Sequence, residues 1–91
     1  MANRKYAALE RCFTDLLDVV SAELSEGELR EIRDFLDVTE FGLALQTFVD
    51  IVIEEHKHLP HRAATVCEEL ARLMNFTEKV DLQAVRDATK L

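Results

Sequence analysis

Two glycines and one proline are the only strong breakers of regular structure in 91 residues. A sandwich or barrel of short strands needs many tight turns, so an all-β fold is excluded at the outset. The β-branched run Phe48-Val49-Asp50-Ile51-Val52-Ile53 could form a strand, but no second run exists to pair with it, and a helix is the better reading. Only two cysteines occur, Cys12 and Cys67, with no Cys-x-x-Cys spacing. Both fall at apolar positions of helical patterns, as reduced and buried thiols do. No apolar run is long enough to span a bilayer, and Glu10, Arg11 and Asp15 interrupt the stretch a secretory leader would need. A cytoplasmic location is therefore expected. Basic residues are also short, at 11 against 18 acidic ones, for a net charge of -7. Phosphate and anionic lipid both require a basic footprint, which argues against nucleic-acid and membrane partners.

The chain is 48% hydrophobic, which suits one core and a single domain over residues 1–91. Tyr6, Leu9, Phe13, Leu16, Leu17, Val20 and Leu24 recur at steps of three and four, predicting a helix from about Asn3 to about Leu24. Ser25-x-x-Glu28 forms a capping box, in which each side chain reaches the other residue's amide, and opens a second helix to about Val38. Leu29, Ile32, Phe35 and Leu36 make its buried face. On the other side Arg30 is spaced to pair with Glu26 or Asp34, and Arg33 with Asp37. Thr39 is the expected N-cap of a third helix, about Glu40 to Glu55, whose apolar residues nearly encircle it. Its polar stripe is Gln46, Thr47, Asp50 and Glu54. Pro60 opens a fourth helix running to about Met74, with Asn75 at the left-handed position after it. A last helix covers about Asp81 to Lys90, with Leu82, Val85 and Ala88 or Thr89 on one side. The expectation is an all-α, compact bundle of four to five helices.

Chemistry-bearing groups are scattered. His56, His58 and His61 are two and three apart across a proline, unlike the helical or knuckle spacing of structural zinc, so a solvated loop and no metal is expected. No nucleophile stands beside a base, and the carboxylates are distributed, so neither an enzyme nor a cofactor is expected. Gly42 stands alone, which fits a close approach or tight turn rather than a phosphate loop.

Charge is the informative asymmetry. From Glu10 through Glu55 there are thirteen acids against three bases, while the remainder holds five acids and eight bases. No base occurs between Asp34 and His56. A small protein that concentrates one sign on ordered elements is suited to a partner of the opposite sign. Glu31, Asp34, Asp37, Glu40, Asp50 and Glu54 are the candidate contacts. Asp50 is the exception to watch, since a central helix could bury it as a structural pair.

Arg33-x-Phe35-Leu36-Asp37, then Glu40-Phe41-Gly42-Leu43-Ala44-Leu45, then Asp50 and Glu54, resemble the central region of MafI-type and contact-dependent inhibition (CdiI-like) immunity proteins. Leu70-Ala71-x-Leu73-Met74 fits the same pattern, whereas the histidine loop and last helix match nothing fixed. The resemblance implies an antitoxin that neutralises the toxin domain of a secreted polymorphic toxin. Toxins of this group are often nucleases, including RNases of the EndoU type, and so basic. The alternative from the residues alone is a helical adaptor that offers a groove to a partner helix.

Overall fold

The computed structural model describes residues 4–90 and contains five helices: α1 (Arg4–Val19), α2 (Glu26–Asp37), α3 (Phe41–Glu54), α4 (His61–Leu73) and α5 (Leu82–Asp87). No strand occurs among the described residues, and the 48–53 run is helical. α1 packs on α4, α2 on α3, and α5 touches both α3 and α4, closing the two pairs into one body. Its radius of gyration, 12.1 Å, is that of a single domain of this length. Phe13, Leu16, Val20, Ile32, Leu45, Phe48, Leu70 and Val85 are fully buried in one core cluster. Each such side chain contributes roughly 1.5–3 kcal/mol by leaving water. No helix among the described residues is long and apolar enough to cross a membrane.

The helix ends show how a chain so poor in glycine turns its corners. After α2, the Thr39 amide donates to the Leu36 carbonyl at 3.0 Å and the Glu40 amide to Phe35 at 2.9 Å. After α3, His56 donates to Ile53 and Lys57 to Val52; after α4, Asn75 donates to Arg72 and Phe76 to Ala71. These are three Schellman closures, and each needs a left-handed residue where glycine is usual. Thr39, His56 and Asn75 supply it, with φ of 56°, 50° and 55°. Asn75 behaves as expected. Thr39 does not: it closes α2 rather than capping α3. Its hydroxyl donates to the Val38 carbonyl at 2.7 Å, and Glu40 holds the N-cap position without a side-chain cap.

Other boundaries shift for similar local reasons. α1 stops at Val19, and 20–24 form turns in which the Ser21 hydroxyl competes for the Asp18 carbonyl at 3.0 Å. Asn3 lies outside the described residues. Pro60 is the N-cap of α4 rather than part of it. α5 is only six residues long, started by the Asp81 carboxylate accepting from the Ala84 amide at 3.0 Å. The capping box at Ser25 is complete: Ser25 N–H to Glu28 Oε1 is 2.8 Å and Glu28 N–H to Ser25 Oγ is 3.1 Å.

Two packing expectations are corrected. Tyr6 is exposed, laid edge-on against Phe41 at 5.4 Å, and Phe41 in turn stacks on Phe13 at 5.9 Å. Cys67 is buried, but Cys12 is only half-buried. Gly42 has the close-approach role: a Cβ there would lie 3.1 Å from Cζ of Phe76.

Candidate functional site: an acidic face on α2 and α3

Helical periodicity sorts α2 into a buried arc of Leu29 and Ile32 and a solvent arc bearing Glu31, Asp34 and Asp37. On α3, Asp50 and Glu54 fall on the solvent stripe, and Glu40 lies at the joint between the two helices. All six candidate carboxylates are exposed. Asp50 is thus not a buried structural pair.

None of the six makes an ion pair among the described residues. The expected pairs of Arg30 and Arg33 with their neighbours on α2 do not form either. An exposed pair gains only tenths of a kcal/mol, so each of these side chains stays in water. The five ion pairs among the described residues take their cation from 57–90. Lys57 reaches Glu28 at 2.9 Å, Arg62 reaches Asp15 at 2.8 Å, Arg86 reaches Glu68 at 2.6 Å, and Lys90 reaches Asp87 at 3.1 Å. Arg72 pairs with Glu69. Among the described residues, ion pairs cover only Glu28 and Asp15 of the thirteen carboxylates from Glu10 through Glu55; ten of the others are exposed and unpaired, and Glu23 is half-buried.

The six do not line one pocket. Asp34 and Asp37 share a groove of about 510 Å³ with Glu26, Arg30 and Arg33. Asp37 and Arg33 continue into a second groove with Glu10 and Thr14 of α1. Asp50 lines a separate groove with Gln46, Ile53, Lys79 and Asp81. Glu31, Glu40 and Glu54 are exposed outside these grooves. Glu10 and Glu26 were not among the expected contacts, although their place on solvent arcs was legible in the helical period. Leu43 and Ile53 were also missed. They are 44% and 43% exposed on the same stripe of α3 as Asp50, which a strict 3.6-residue period would have placed there.

Neither cysteine thiol is activated by its surroundings. Burial, with Glu68 and Cys12 nearby, pushes the Cys67 thiol up to about 12. Burial and then Asp15 also raise Cys12. A nucleophilic cysteine needs the opposite shift. The Glu28 carboxyl is held below its ordinary value, first by the Ser25 amide and then by Lys57. Among the described residues no three metal-type side chains gather. His58 and His61 border one cavity, and His56 sits apart at the end of α3.

Fold and surface together define a small all-α bundle with an uncovered acidic face. No family model, curated protein or solved structure matches the chain.

Proposed function

We propose that the protein is an antitoxin of the immunity-protein kind, which captures a basic toxin domain through the solvent faces of α2 and α3. The observation that carries this reading is the ten carboxylates between Glu10 and Glu55 that are exposed and unpaired among the described residues, in a molecule whose later cations are all but consumed by its own pairs. The likeness of residues 33–54 to MafI-type and CdiI-like proteins supports it from a separate direction. A nuclease, with an EndoU-type RNase favoured, suits the chemistry: a surface that holds phosphates is cationic, and fixed carboxylates imitate the phosphate charge. Long-range attraction speeds encounter, while close charge pairs and a dry centre slow release. The protein performs no reaction itself and acts inside the cell that makes it.

The test is binding to the product of the reading frame immediately upstream, with protection of cells as the second readout. Association should slow on the order of tenfold or more between about 50 mM and about 500 mM salt. Asp34→Lys, Asp37→Lys and Glu40→Lys combined should weaken binding and protection; unaltered protection refutes the placement of the surface. A second reading, an adaptor that seats an apolar helix, is favoured by the exposure of Leu43 and Ile53. It predicts binding insensitive to salt and lost in Leu43→Ser with Ile53→Ser.

A further inference from the structure

A cavity of about 670 Å³ shares no lining residue with the six carboxylates of the acidic face. Three segments frame it. The turn after α1 contributes Glu23, the loop before α4 and its first residue contribute His58, Leu59 and His61, and the chain after α5 contributes Thr89 and Lys90. The frame is tied down locally. The Glu23 and Leu24 amides donate to the Val20 carbonyl at 3.0 and 3.1 Å, and the Leu59 amide donates to Ala88 at 2.9 Å.

Glu23, which lines this cavity, carries a carboxylate without a partner among the described residues. Oε1 of Glu23 is buried and accepts no hydrogen bond among the described residues. A buried acceptor without a donor is uncommon in folded proteins, and a bound group is one way such an oxygen becomes satisfied. The neighbouring polar groups do not answer it. Lys90 Nζ is 3.1 Å from Asp87, and the Thr89 hydroxyl donates to the Arg86 carbonyl at 2.7 Å. Among the residues lining the cavity, the charge left unanswered is therefore the Glu23 carboxylate.

We propose that this cavity receives an alkyl-guanidinium group, such as an arginine side chain of a protein partner, with Glu23 as its counter-charge. A carboxylate matches the parallel N–H groups of a guanidinium, and Leu59 and Pro60 suit its aliphatic stem. Guanidinium sheds water more readily than ammonium and stacks on flat rings such as those of His58 and His61. An anion would meet the open carboxylate, and a metal ion would lack a third ligand among the described residues. Only the choice of a protein as the source of the arginine rests on the partner reading above. The chemistry of the group does not.

Titration of the purified protein with N-acetyl-arginine methylamide, followed by amide NMR, tests this without the partner. Shifts confined to Glu23, His58, Leu59, His61, Thr89 and Lys90 are expected. The neutral isostere, N-acetyl-citrulline methylamide, should bind at least about tenfold more weakly, as should the arginine probe to Glu23→Gln. No shifts at these residues, equal binding of the citrulline probe, or full binding to Glu23→Gln would each overturn the assignment. Free arginine is the arm that separates sources: weaker binding than the capped probe marks a side chain within a polypeptide, and tighter binding marks a small molecule. The citrulline comparison needs no variant, so it stands whatever Glu23→Gln does to folding. Failure here leaves the acidic-face reading intact, and failure of the upstream protein to bind leaves the guanidinium site intact.

Discussion

The segment from Glu10 to Glu55 and the segment from His56 to Lys90 share a core and treat charge in opposite ways. In the later segment, Lys57, Arg62, Arg72, Arg86 and Lys90 each meet a carboxylate, and two of them reach back across the fold to Glu28 and Asp15. The earlier segment leaves most of its carboxylates in water, and even Arg30 and Arg33, beside Asp34 and Asp37, pair with neither. Stability does not require such a surface, because exposed pairs are worth little and uniform charge repels itself. The contrast teaches that the two halves answer to different demands: the later one closes the fold, and the earlier one presents a surface.

That contrast has meaning only if the two segments unfold as one cooperative body, which a substitution in the shared core tests. Phe48 is fully buried on α3, which packs against both α2 and α5. Phe48→Ala should cost about 3–5 kcal/mol through lost burial and the cavity left behind. Denaturant unfolding watched by a probe in each segment should still show a single transition. Two separate midpoints would mean that the halves are independent units and that their charge difference is a domain difference.

Thr39 sharpens the contrast from the opposite side, since it should yield a gain. A β-branched residue at φ 56° is strained, roughly 1–2 kcal/mol worse than glycine at such a position, less what glycine loses in backbone entropy. Thr39→Gly should therefore raise stability by about 1 kcal/mol, measured as the denaturation midpoint. His56 and Asn75 hold the same geometry, but both types tolerate the left-handed region better, so glycine there should help less. A loss at Thr39 would show that its hydroxyl bond to Val38 outweighs the backbone strain.

The Ser25–Glu28 box is one of two places where the described residues of the two segments touch electrostatically, here through Lys57. Ser25→Ala should cost about 1 kcal/mol by removing the cap of α2. The same box, with Lys57, also shapes the pH response. Glu28 is held below its ordinary value in the folded protein by the Ser25 amide and Lys57. Its contribution is therefore present above the ordinary glutamate range and fades as pH falls through the depressed folded value. In Lys57→Met the acid limb of the stability curve should flatten, with stability at neutral pH lowered only slightly. An unchanged acid limb would assign that limb to other carboxylates.

Much of this organisation was legible in the residues. Apolar spacing placed all five helices, and Ser25-x-x-Glu28 announced its own hydrogen bonds because a capping box is local. The exposure of Glu31, Asp34, Asp37, Glu40 and Glu54 was legible from the helical period, whereas the nearly all-apolar α3 left Asp50 open to burial, and only the fold shows it exposed. What the chain concealed was non-local. Thr39 looks like an N-cap until the requirement to close α2 without glycine takes precedence. Arg30 and Arg33 have pairing partners at the right spacing, but spacing does not supply enough energy to hold them. The Glu23 cavity is built from three segments with whole helices between them, α2 and α3 before His58 and α4 and α5 before Thr89, so no short window along the chain contains it.

Gly42 offers the smallest effect and the finest test of how the segments meet. It sits in the first turn of α3, with the Phe76 ring from the later segment against it. Alanine there gains helix propensity, less than the roughly 1 kcal/mol of a helix interior because the first turn is only partly formed. Against this, its Cβ would stand 3.1 Å from Phe76 Cζ, closer than carbon atoms comfortably approach, so the ring must yield by a few tenths of an ångström. Phe76 is half-buried in the connection between α4 and α5, with Lys79 Nζ 5.8 Å from its ring centre, and it has solvent to move toward. Gly42→Ala should therefore change stability by no more than about 0.5 kcal/mol, while Gly42→Val, which cannot be relieved by a small shift, should destabilise by about 1–3 kcal/mol. Equal tolerance of valine would show that the contact between Gly42 and Phe76 is loose, and that the segments are held together by the buried core alone.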